Sequence, residues 1–259
     1  NTKYPSYHFD FPLTLNGSTF LDDVDFNKYN FEDYVFFDNV IFKGKCNFNH
    51  TSFSKVSFTN TNFFKTVLFS NGKLNSFFFK YGGNDYNGDF ENAVFHENVN
   101  FLNMKFGDDT NKDKYDLDFK NTTFKKVSFD KCTFNKGIIF KTKAKLDYLC
   151  IKNTNFNKLH IGAEVPFISI IGNRNTINKF SLKDNKLDNL LIYNYIIKSD
   201  FLLNDRKERN INSLIKLKNI NLSECTFEGK VKIQFYDIER RAVFYNTKFE
   251  DLADFYQTK

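Results

Sequence analysis

Tryptophan is absent from this chain, methionine occurs once and proline only three times in 259 residues. So few prolines suit a structure in which nearly every backbone N–H pairs, a β ladder above all. No apolar run approaches the roughly 20 residues that a membrane-spanning helix needs. The first residues also lack the charged and apolar regions of a signal peptide. Chemical motifs are missing too. There is no Gly-rich phosphate loop opening a helix and no nucleophile elbow. The four histidines, His8, His50, His96 and His160, have no spacing that gathers a metal. Asp109-Thr110-Asn111-Lys112-Asp113 opens like a calcium loop. Lys114 and Lys120, however, stand where that loop needs a turn Gly and a bidentate Glu. Gly82-Gly83-Asn84-Asp85 occurs once, whereas calcium β-rolls bind ions between successive copies. No catalytic, cofactor or metal residue is assigned.

What is abundant is phenylalanine, with 35 copies. From Phe20 it returns on a beat of five or six residues: Phe26, Phe31, Phe37, Phe42, Phe48, Phe53, Phe58, Phe63 and Phe69. Two residues before each stands a mostly small or β-branched partner, among them Ser18, Val24, Val40, Cys46, Thr51 and Thr61. No helix has this period, and a single strand cannot sustain it over such a length. Each unit fits one side of a square coil, with Phe inward at mid-side and its small partner inward at the corner. The slots between face water, which accounts for their Asn, Lys, Asp and Ser. Successive coils then stack at about 4.8 Å, Phe upon Phe. A lone coil has nothing to bury against, so stability comes from stacked neighbours.

The Phe series and its partners, as in Val24-Asp25-Phe26, Thr51-Ser52-Phe53 and Cys132-Thr133-Phe134, resemble the pentapeptide-repeat family over nearly the whole chain. The resemblance implies an all-β fold, a right-handed quadrilateral β-helix, here of about ten coils with loop excursions. The frequent step of six departs from the family's five and reads as bulges stacked in register.

Taken in order, residues 1–19 form a lead-in or cap, and residues 20–259 form the β-helix. Excursions are expected at 70–89, 107–116, 162–179 and 203–213, where the beat blurs. A small inserted subdomain within 162–216 stays open. After Phe140 the centres turn aliphatic, running through Leu146, Ile151, Phe156, Ile161, Leu182, Leu187, Ile192, Ile197 and Leu202 to Phe255. Cys46, Cys132 and Cys225 fall in the small inward slot, where cysteine acts as a small apolar residue, and Cys150 is the one expected to be exposed. The C-terminal end reads as uncapped. With no Met at position 1, the chain reads as an excised piece of a longer protein.

Charge is uneven. Residues 1–130 carry 14 Lys against 17 acids, while the remainder carries 23 basic residues against 14 acids and holds every arginine. The function expected is a non-enzymatic protein-interaction scaffold, with recognition on the excursions. Arg206, Lys207 and Arg209 are the nominated contacts, with Tyr81 and Tyr86 behind them. The scaffold would be the soluble part of a longer bacterial protein, cytoplasmic or membrane-associated. It would need no cofactor, would bind a protein rather than nucleic acid, and would touch membrane only through segments outside the chain. Self-association through the uncapped C-terminal coil is a further expectation. The resemblance implies one alternative, a DNA-mimicking protein that binds a type II topoisomerase such as gyrase. That mode needs an acidic surface, whereas the net charge here is +6. An enzyme on a β-helix ranks third.

Overall fold

In a computed structural model the chain is all-β, a β-solenoid of stacked parallel strands with no helix among the described residues. Those residues are 7–76, 90–106, 117–119, 121–134, 137–140, 144–182, 187–203, 215–234, 236–256 and 258. Every strand pairing is parallel, and partners lie one coil apart. Asp23 Oδ1, for example, accepts a hydrogen bond from the Lys45 amide, 22 residues on.

Four inward columns make the tube four-sided. One runs from Phe20 through Phe42, Phe63 and Phe95 to Phe124 and Leu146. Its phenylalanine rings stack with centroids 4.6–5.0 Å apart and planes within 8° of parallel, the coil spacing itself. The second runs from Phe26 through Phe48, Phe69 and Phe101 to Phe129 and Ile151. The third passes Phe9, Phe31, Phe53, Phe106, Phe134, Phe156, Ile177, Ile197, Phe227 and Phe249, with the backbone of Leu74 paired between Phe53 and Phe106. The fourth climbs from Phe37 through Phe58, Phe90, Phe119 and Phe140 to Ile161 and Leu182. Neighbouring columns meet edge to face, as Phe53 and Phe58 do, and so do rings across the tube such as Phe48 and Phe58, the arrangement that ring quadrupoles favour.

The corners explain the asparagines. Asn39, Asn60, Asn92 and Asn121 hold positive φ between 54° and 59°, a left-handed turn that Asn tolerates better than most side chains. Their side-chain amides chain upward through hydrogen bonds of 3.0 Å at every step. Gly17 begins the same corner at φ +73°. A second corner repeats the turn at Lys28, His50, Asn71, Asn103, Lys131 and Asn153.

Several sequence expectations change. Tyr7–Phe9 and Leu13–Thr14 pair with Tyr29–Phe36, so residues 7–19 are the first coil rather than a lead-in. Lys73–Ser76 pairs on both sides, so the chain stays in the coil to Ser76 rather than leaving at Ser70. The segment 162–179 is no excursion. Phe167–Leu182 is one 16-residue strand, paired to Lys145–Lys152 and Phe156–Ile161 below and to Asn189–Ile197 above. The inward residues Val165, just before this strand, and Ile170 and Ile177 within it are fully buried, although the last step is seven residues long. The register shifts between Ile171 and Asn175, and the Tyr195 ring fills the space left over Gly172. Tyr195 is buried and its hydroxyl donates to the Thr154 carbonyl at 2.7 Å, two coils below. Burial also raises its phenol pKa well above the usual value. The described part of 162–216 therefore stays in the tube. Leu202 is not a centre: Phe201 and Leu203 point inward on either side of it, because the step after Ile197 is six.

Bulges are fewer than expected. Where a six-residue side stacks on another, as Phe20–Phe26 does on Phe42–Phe48, the pairing runs unshifted. The register slips where six meets five, between Phe31 and Tyr34 and between Phe95 and Asn98.

Candidate functional site

The small corner slot is where hydroxyl and thiol side chains gather. There Thr51 Oγ1 donates to the Phe26 carbonyl at 2.5 Å, Thr61 Oγ1 to Phe37 at 2.5 Å and Thr122 Oγ1 to Phe90 at 2.7 Å. Cys132 and Cys225 make the same bond with sulfur, to Phe101 at 3.3 Å and Ile192 at 3.4 Å. A thiol here stands in for a threonine hydroxyl and satisfies a carbonyl of the coil below. Burial pushes the thiols of Cys46 and Cys132 up to about 12 and that of Cys225 to about 11. A thiol so held is no nucleophile at neutral pH. Cys150, expected to be exposed, is buried on the outer face, where its backbone pairs with Ser128 and Ser169.

These raised values carry a sign. Below pH 9.0, the ordinary thiol value, folded and unfolded chains alike keep these protons. Above it the unfolded chain releases protons that the folded chain retains. Stability should therefore fall as pH climbs from 9.0 toward about 12. Urea midpoints measured from about pH 8 to about pH 11 should decline less steeply in the Cys46→Ala, Cys132→Ala, Cys225→Ala triple variant. Equal slopes in the two chains would clear the thiols as the cause.

The histidines are dispersed. His8 Nδ1 lies 3.0 Å from Glu32 Oε1, His50 occupies a left-handed turn, His96 stacks on Phe64 at 4.5 Å and His160 lies within Phe156–Ile161. Among the described residues no group of three or more His, Cys, Asp or Glu could hold a metal ion.

The nominated contacts Tyr81, Tyr86, Arg206, Lys207 and Arg209 lie outside the described residues, as do Gly82–Asp85 and residues 107–116. What the structure does fix is the described coil on either side of the long stretches outside it. Residues 77–89 and 107–116 stand between Ser76 or Phe106 and the next residues of the Phe37 column, Phe90 and Phe119. Residues 204–214 follow Leu203, one coil above Leu182 of that column. All three stretches adjoin one column.

The side between the Phe20 and Phe26 columns has no such break. It is built by Val94–Leu102, Thr123–Asp130, Lys145–Lys152 and the strands stacked on them. Among the described residues between the first and last coils, the large apolar side chains that stand exposed are Phe64, Leu68, Leu102, Phe167 and Tyr193, each 37–44 % accessible. All five project from this side or its edge. The sequence carried the signal, since each occupies the slot next to a column position or in mid-side, where Asn, Lys or Asp is the rule. Phe167 also stacks on Tyr148 at 4.8 Å, and Lys126 Nζ lies 5.0 Å from the Tyr148 centroid.

In comparisons with protein-family models, curated proteins and solved structures, nothing matches the chain. The β-solenoid shape and its regular Phe-rich stacking are compatible with a pentapeptide repeat.

Proposed function

We propose that the chain is a non-enzymatic protein-interaction scaffold of the pentapeptide-repeat kind, a stiff frame from which irregular segments meet a protein partner. One observation carries this reading: the three long stretches outside the described coil, 77–89, 107–116 and 204–214, all adjoin the Phe37 column in the chain. Segments leaving one flank of a stacked tube can address a single partner together, while the columns hold their spacing. Arg206, Lys207 and Arg209 remain the proposed contacts, with Tyr81 and Tyr86 beside them.

Deleting 204–210 is the test. The shortened chain should melt with the full chain and lose any partner that the full chain retains on an affinity resin. Unfolding on deletion would make those residues part of the frame. Undiminished capture would place recognition elsewhere.

A further inference from the structure

The unbroken side matches itself when turned end for end. Thr123–Asp130 lies near the middle of the tube. Two coils below it are Phe64 and Leu68, and two coils above it are Phe167 and Ile171. Phe64 and Ile171 stand at opposite edges of the side, in register with Lys125 and Asp130, while Leu68 and Phe167 lie on either side of its middle, in register with Ser128 and Lys126. A two-fold axis through Thr123–Asp130, perpendicular to the side, therefore brings Leu68 of one copy over Phe167 of the other, and Phe64 over Ile171. The same axis sets Lys125 opposite Asp130, twice, because these residues begin and end the outward face of the central strand.

We propose that this side is the interface of an antiparallel homodimer. The long-range charge agrees. Residues 1–130 hold three more acids than bases and the remainder nine more bases than acids. Turning one copy end for end lays the acidic half on the basic half, whereas a parallel pair would set like on like. The size is adequate as well. A side of this width and length presents on the order of 700 Å², close to the ~800 Å² per partner of a standard interface. An interface that uses the same patch on both copies is the arrangement a two-fold dimer requires. None of the residues named here belongs to the stretches proposed for recognition, so the proposal does not depend on the scaffold reading.

The purified chain, followed by sedimentation from about 1 to about 100 µM, should double its mass. Leu68→Asp and Phe167→Asp should each hold it monomeric with an unchanged melting temperature, because both side chains are on the surface. Lys125→Asp and Asp130→Lys should each weaken association by about tenfold or more. Combined in one chain, the two changes should restore it. A monomer at every concentration would overturn the proposal. So would a dimer that survives Leu68→Asp but is lost in Phe255→Asp, which places the contact at the end coil. Failure of the double charge swap to recover association would refute the antiparallel geometry.

Discussion

Replacing Phe58 by alanine should cost the fold about 3–5 kcal/mol, at the upper end of what core truncations remove. Phe58 is fully buried, lies flat between Phe37 at 5.0 Å and Phe90 at 5.2 Å, and meets Phe48, Phe53 and Phe69 edge-on. The void cannot close, because ladder bonds such as Phe37 N–H to the Ser57 carbonyl at 2.9 Å hold the coils at their spacing. The rings above and below then lose a face each and cannot approach one another. Phe249 offers the comparison. It belongs to the same kind of column but lies in the last coil and is only partly buried, so Phe249→Ala should cost less than half as much. Urea unfolding of both variants decides the matter, and equal losses would show that stacking along the columns is not what holds the tube.

Gly72→Ala should be nearly as damaging, at about 3 kcal/mol. A Cβ on Gly72 would lie 2.0 Å from the Thr51 carbonyl oxygen and 3.1 Å from its carbon. That oxygen belongs to the backbone of the coil below and accepts the Lys73 amide at 3.2 Å, so it cannot retreat without breaking the ladder. The coil above is fixed as well, with Gly72 N–H directed at Met104 Sδ at 3.2 Å. Gly17→Asn is the contrast. Nothing lies within 4 Å of a Cβ there, and the positive φ is one that asparagine adopts at the same corner four coils running, at Asn39, Asn60, Asn92 and Asn121. Calorimetry should find that variant close to the parent, and a Gly72→Ala protein that melts with the parent would contradict the close approach of the two coils.

The columns were legible because the hydrophobic period and the coil geometry are one quantity. Phe20, Phe42 and Phe63 could be placed on each other from their numbers alone. Legibility failed where spacing and residue size compensate. Between Ile161 and Leu182 the steps run through Val165, Ile170 and Ile177, and the irregular seven-residue step is made good by Tyr195, a large ring in a slot expected to be small. Phe201-Leu202-Leu203 offered three apolar candidates for two inward positions, and only the burial on either side of Leu202 separates them. Cys150 looked exposed because its slot points outward, yet a side chain that small sinks below its neighbours on the same face. The apolar side went unseen for a different reason. Phe64 follows a column phenylalanine and reads as part of the beat, and Leu68 precedes another. Neither is inward, and a sorting of outward slots would have separated them. Recognition on the excursions was inferred from broken rhythm, and the structure adds where the breaks fall along the tube.

The single-file order of the coils has a mechanical consequence. The ladder bonds of each coil run to the ones directly above and below, with Tyr195 reaching Thr154 two coils away, so tension on the two ends loads the outermost turn first and peels it free before the next is strained. A turn of 22 residues releases on the order of 75 Å of extended chain. The turns that take 32 and 30 residues release proportionately more. Stretched between a surface and a cantilever, the molecule should unspool in a sawtooth whose tooth lengths record the residue count of every turn in sequence.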